Sequence, residues 1–211
     1  TGAGGTAAGF DIYTATTSMK TYNSATNAWV GVPTTNATAI KATTGYMVFV
    51  RGARTINAAF VAPTETTLRT QGTVYTGDQT PIAVGALQFT AIGNPYPSTI
   101  HMRNIPKPGI TTLNYLWDAA LAGANGYGAY PTFSNDGSGN YVITPGGGSY
   151  DVSGSTSNYI QSGQAFFVQG DTGGGSLTFK EGAKTTGSGV VSVAPPVPTP
   201  QLRANLYGVN T

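Results

Sequence analysis

Apolar positions along this chain alternate or run in short blocks, and turn residues interrupt them throughout. Candidate strands are Phe10–Thr14, Met19–Asn23, Ala28–Val32, Tyr46–Val50, Thr55–Val61, Thr66–Thr70, Leu87–Ile92, Thr111–Leu116, Tyr127–Tyr130, Tyr141–Ile143, Ala165–Gln169, Ser176–Lys180 and Gln201–Val209. Thr, Val, Tyr and Phe suit a pleated surface, and Gly, Asn and Pro punctuate it. Helical periodicity is confined to Leu113, Leu116, Trp117, Ala120 and Leu121, an alternative to the strand at Thr111–Leu116 that Gly123 and Gly126 would stop quickly. The expected fold class is all-β, built as β-sandwich-like units with little or no helix.

One apolar block occurs twice. Thr44-Gly-Tyr-Met-Val-Phe-Val-Arg-Gly52 matches Ser162-Gly-Gln-Ala-Phe-Phe-Val-Gln-Gly170. Each copy is a turn, a continuous apolar strand and another turn, the pattern of a strand covered on both faces. The flanks correspond in order. Tyr22 and Trp29 precede the first copy as Trp117 and Tyr127 precede the second, and Thr67-Leu-Arg69 follows one as Ser176-Leu-Thr178 follows the other. The second copy carries an extra loop near Ser134–Ser157. This order predicts an internal duplication into two related β-units, 1–88 and 89–193. Residues 194–200 form a stiff proline-rich linker. Residues 201–211 follow as a terminal strand in which Leu202, Ala204 and Leu206 alternate with polar neighbours. That strand is expected to join its own sheet, a neighbouring chain or a further domain.

Composition narrows the chemistry. Charged residues are 9% of the 211, against roughly 25% in an ordinary domain, and glycine numbers 30. With no cysteine and one histidine, disulfide scaffolds, cysteine nucleophiles and Cys-type zinc sites are excluded. The scattered Lys and Arg do not form the basic face that nucleic-acid binding needs. No apolar run is long enough for a transmembrane helix, so membrane insertion is not expected. Thr1 in place of an initiator Met reads as a processed product or an excised segment.

Candidate reactive groups are few. His101 is the single imidazole and lies in a loop-like stretch, no Gly-x-Ser-x-Gly accompanies it, and Glu65 and Glu181 are the only glutamates. A glycosidase pair would need one of these with Asp118, Asp136 or Asp151. Gly2-Ala-Gly4-Gly-Thr-Ala7 lacks the strand and helix of a phosphate loop, and no Lys-Ser/Thr follows Pro145-Gly-Gly-Gly148. Asn135-Asp-Gly-Ser-Gly-Asn140 offers calcium one carboxylate, Asp136, and reads as a glycine-rich turn. No catalytic, cofactor-binding or metal-binding residues are therefore assigned, and no cofactor is expected. Tyr22, Trp29, Tyr46, Tyr96, Trp117, Tyr127 and Tyr130 are aromatics that could form a sugar-stacking platform, with Tyr96, Trp117, Tyr127 and Tyr130 the candidate ligand-stacking residues.

Phe89-Thr-Ala-Ile-Gly-Asn-Pro-Tyr-Pro-Ser98, Tyr115-Leu-Trp-Asp118, Gly126-Tyr-Gly-Ala-Tyr130 and Tyr159-Ile-Gln-Ser-Gly-Gln-Ala-Phe-Phe-Val168 together resemble a recurrent module of large Bacteroidetes surface proteins exported by the type IX secretion system. Lys20-Thr-Tyr22, Asn27-Ala-Trp-Val30 and Gly45–Gly52 resemble the unit that commonly precedes it. Thr67–Thr73 and Gln201–Tyr207 fit the same order. The resemblance spans about residues 19–209. It implies a cell-surface or secreted location in a larger parent and carries no catalytic residues with it. Within it, Asn94 and Tyr96 each precede a proline, which makes a rigid corner and allows a cis bond at either position. The expected function is a non-catalytic extracellular structural or adhesive module of a bacterial surface protein, able to self-assemble through its terminal strand. Its expected partners are other copies or other domains of the parent. The alternative is a carbohydrate-binding module with glycans as partners.

Overall fold

The computed structural model describes residues 17–33, 39–49, 72–117, 130, 132–135, 141–143 and 159–186. Twelve strands are placed among them: β1 (Met19–Asn23), β2 (Ala28–Gly31), β3 (Tyr46–Val48), β4 (Ile82–Val84), β5 (Phe89–Gly93), β6 (Ile100–His101), β7 (Ile110–Leu116), β8 (Thr132–Asn135), β9 (Tyr141–Ile143), β10 (Tyr159–Ile160), β11 (Ala165–Gly170) and β12 (Gly175–Leu177). All pairings between them are antiparallel. Two single 3-10 turns, Met102–Asn104 and Glu181–Ala183, complete the described structure. The protein is all-β, and Ile110–Leu116 is a strand. The helical alternative there fails because Asn114 and Leu116 face one buried side while Thr111, Leu113 and Tyr115 stay partly accessible, a period of two.

The central sheet has five strands in the order β5-β11-β7-β8-β9. Its inner face carries Ile92, Leu116, Phe133, Phe166 and Val168. These pack with Val84, Ile100, Ile160 and Leu177 from the two-stranded ribbons β4–β12 and β6–β10, and with Phe179 just after β12. Burying each large side chain contributes roughly 1.5–3 kcal/mol before chain entropy is counted. The outer face of the sheet carries Ala91, Tyr115 and Phe167 in register. A three-stranded sheet, β2-β1-β3, lies against that face: Tyr22 and Trp29 contact Phe167 with ring centroids 4.8 and 5.7 Å away. The continuous apolar run Ala165–Val168 is thus covered on both sides, as its composition predicts.

Two features join the layers. Thr43–Gly45 pairs with the free edge of β5: Gly45 N–H donates to Ala91 O at 3.0 Å and Gly93 N–H to Thr43 O at 3.1 Å. Gly45 permits this approach, because a Cβ there would stand 2.8 Å from Ala91 Cβ. At the far side, Asn94 binds the corner to the turn before β11. Its buried amide Nδ2 lies within 2.9–3.2 Å of the carbonyl oxygens of Ser98, Ile160 and Gln161, and its Oδ1 accepts Tyr96 N–H. These bonds tie the corner down, and both X-Pro bonds in it are trans.

Boundary residue 88 lies beyond β4, yet β4 pairs with β12, Gln79 N–H donates to Phe179 O, and Tyr96 Oη donates to Gly77 O. Residues 77–84 are therefore bonded to the partners of the second predicted unit. The two copies of the apolar block take different places: the first supplies β3 and the second the central β11. β2-β1-β3 and β8-β7-β11 share one connectivity, a hairpin whose first strand also pairs a later strand. The linker 194–200 and the terminal strand with Leu202, Ala204 and Leu206 lie outside the described residues.

Candidate functional site

The first sheet and the outer face of the central sheet do not meet everywhere. Between them a cleft of about 390 Å³ is lined by Trp29, Tyr46, Met47, Ala91, Trp117, Tyr130, Phe167 and the turn Gln161–Gln164, with further backbone from β3 and β11. Its aromatic walls are set by two hairpins. In the first, Asn23 Oδ1 accepts the N–H groups of Ala25 and Thr26, and Asn27 takes a φ of 50°, which the asparagine side chain tolerates. That turn fixes the register in which Tyr22 faces Trp29. Their rings meet edge to face at 5.4 Å. In the second hairpin, Tyr115 pairs with Thr132. Extending that register by two residues sets Trp117 opposite Tyr130, and these rings lie 4.9 Å apart. Tyr130 also meets Phe167 at 5.5 Å. Phe167 is thereby bracketed by one Tyr–Trp cross-strand pair from each hairpin.

The polar lip comes from the turn Gln161-Ser-Gly-Gln164. Gly163 takes φ of +72°, Gln164 N–H donates to Gln161 O, and the Gln164 side-chain Oε1 accepts Gln161 N–H at 2.9 Å. Thr99 Oγ1 donates to Gln161 Oε1 and holds the turn against the proline corner. Among the described residues no Asp, Glu, Lys, Arg or His lines the cleft. The Tyr130 hydroxyl is pushed up to about 12, first by burial and then by Tyr22, so it stays a protonated donor at neutral pH.

Of the predicted stacking residues, the structure brings Trp117 and Tyr130 together. Trp117 is 38% exposed. Tyr96 is a correction: it is 1% exposed, its ring packs edge-on to Phe179, and Lys184 Nζ covers its face at 4.4 Å. The Asn94 corner turns Tyr96 into the core, where burial raises its hydroxyl above the usual value. Tyr127 lies outside the described residues. Trp29 and Tyr46, also among the candidate aromatics, line the same cleft, whereas sequence reasoning missed Phe167 as a cleft residue. The available signal was its place in the continuous apolar run Ala165–Val168, which reads as a strand covered on both faces.

The ionisable groups serve structure elsewhere. His101 belongs to β6 and to the cap of the next turn rather than to a loop. Its Nδ1 accepts Arg103 N–H at 3.2 Å and its ring packs on Tyr159. Burial, with Arg103 and Lys107 adding to it, holds its pKa below the ordinary value. Glu181 accepts from Lys184 Nζ and from Gly77 N–H, and Asp78 accepts from Lys180 Nζ at 2.8 Å and from Glu181 N–H at 2.9 Å. Both carboxyls are held below their usual values, chiefly by these lysine bonds. Glu65, Asp118, Asp136 and Asp151 lie outside the described residues. Among the described residues no three His, Asp or Glu side chains converge as metal ligands, and no helix is long and apolar enough to cross a membrane. Comparison with known proteins returns no matching family model, curated protein or solved structure.

Proposed function

We propose that this chain is a non-catalytic extracellular module, structural or adhesive in role, of a larger bacterial surface protein of the kind its motifs resemble. The observation that supports this most is how its few described charges are used. Asp78 and Glu181 tie the Gly77 segment to the second 3-10 turn, and His101 caps the first, while the cleft between the two sheets is walled by rings and amides. The shared connectivity of β2-β1-β3 and β8-β7-β11, each with a Tyr–Trp pair on Phe167, supports descent of the two hairpins from one duplicated unit. Location is tested on the cells that make the protein. An antibody to this chain should label them intact, and labelling only after lysis overturns the extracellular reading. Self-assembly is tested by light scattering: deleting residues 201–211 should reduce the oligomer to monomer, and unchanged particle size rejects a role for the terminal strand.

The carbohydrate-binding alternative is favoured by one feature, the aromatic cleft, whose ligand chemistry follows.

A further inference from the structure

We infer that the cleft between the three-stranded sheet and the outer face of the central sheet binds a neutral oligosaccharide, with Trp29 and Trp117 as stacking platforms and Gln164 and Tyr130 as hydroxyl partners. This deepens the adhesive reading and rests on it. Four features of the cleft point to this class.

The volume, about 390 Å³, is at the lower end of small-ligand sites and accommodates roughly one or two sugar rings. Its described lining has no charged side chain, which disfavours phosphates, carboxylates and ammonium ligands, since each would lose water without a countercharge. Aromatic faces suit the C–H faces of a pyranose. A purely apolar ligand, however, would strip water from polar groups that no described residue bonds: Gln164 Nε2, the two indole N–H groups and the Tyr130 hydroxyl. A sugar satisfies both sets at once. Finally, the walls are held before any ligand arrives. Phe167 supports Trp29 and Tyr130 from below, and the Asn94 and Thr99 bonds hold the glutamine turn. Preformed walls reduce the ordering cost of binding.

The chain contains two tryptophans, and both line this cleft, so intrinsic emission reads its occupancy directly. The full chain is titrated with xylohexaose, cellohexaose, laminarihexaose and mannohexaose, with a galacturonate oligomer as the charged control. At least one neutral probe should shift the tryptophan emission saturably, and the galacturonate should not. Trp117→Ala, at a half-exposed position, should weaken that probe about tenfold or more, and Gln164→Ala should weaken it severalfold. Lys180→Ala, remote from the cleft lining, should leave affinity unchanged. Silence from all four neutral probes overturns the inference. So does undiminished binding by a folded Trp117→Ala protein, or by Gln164→Ala should the first variant misfold. Failure of binding leaves the structural-module reading standing. Chromatography of the titrated probe separates the two: cleavage products would overturn the non-catalytic reading and leave the cleft assignment intact.

Discussion

Asn114 is fully buried on the inner face of β7, beside Val168 and Phe133, and neither atom of its amide has a hydrogen-bond partner. An unpaired buried polar group costs about 1–3 kcal/mol. Asn114→Leu, which keeps the branching and removes both polar atoms, is expected to stabilise the fold by up to that amount, read as a higher urea midpoint with unchanged slope. Equal or lower stability would mean that the amide is satisfied in solution. His101 gives the second residue-scale prediction. Its folded-state pKa is depressed below 6.5, so folding favours the neutral ring, whose Nδ1 accepts the Arg103 N–H. The associated stability is fully present above pH 6.5 and is lost as pH falls from there through the lower folded value. An NMR titration of the His101 ring should show a midpoint below 6.5. A midpoint at or above it rejects the cap geometry.

At the scale of elements, the sequence disclosed strands whose own residues decide them. Met19–Asn23 and Tyr141–Ile143 appear with the bounds expected, and Ala165–Gln169 extends by one residue. β4, β6 and β10 were illegible because two or three residues become a strand only when a distant partner arrives, as Ile100 does opposite Ile160. The cleft was half legible for the same reason. Trp117 and Tyr130 stand out as aromatics near one hairpin, but Trp29 joins them through Phe167, more than a hundred positions away. Tyr96 looked like a surface aromatic because nothing local announces that Asn94 folds its corner inward. Gly45 tests how the sheets are joined. Gly45→Val places atoms against Ala91, so a loss of about 1–3 kcal/mol is expected, together with altered emission from Trp29. An unperturbed Gly45→Val protein would show that the β3–β5 junction opens freely.

Across the whole molecule, the three-stranded sheet and the central sheet share one aromatic seam, so the two predicted units should not melt separately. Trp29 reports the three-stranded sheet and Trp117 the central one. Single Trp→Phe variants at each should give superimposable urea transitions that also coincide with far-ultraviolet dichroism. Phe167→Ala removes the shared support of Tyr22, Trp29 and Tyr130 and should cost about 3–5 kcal/mol. Two resolved transitions in the parent protein would mean that the seam does not couple the layers.

The pairing of Thr43–Gly45 along Ala91–Gly93 bears on any polymer this protein forms. Unsatisfied backbone at a sheet margin is the template on which foreign strands grow. Here one border of the central sheet is occupied by the chain itself, like a selvedge that keeps cloth from unravelling. In an assembly built by adding strands, growth must then start from a different border of this sheet.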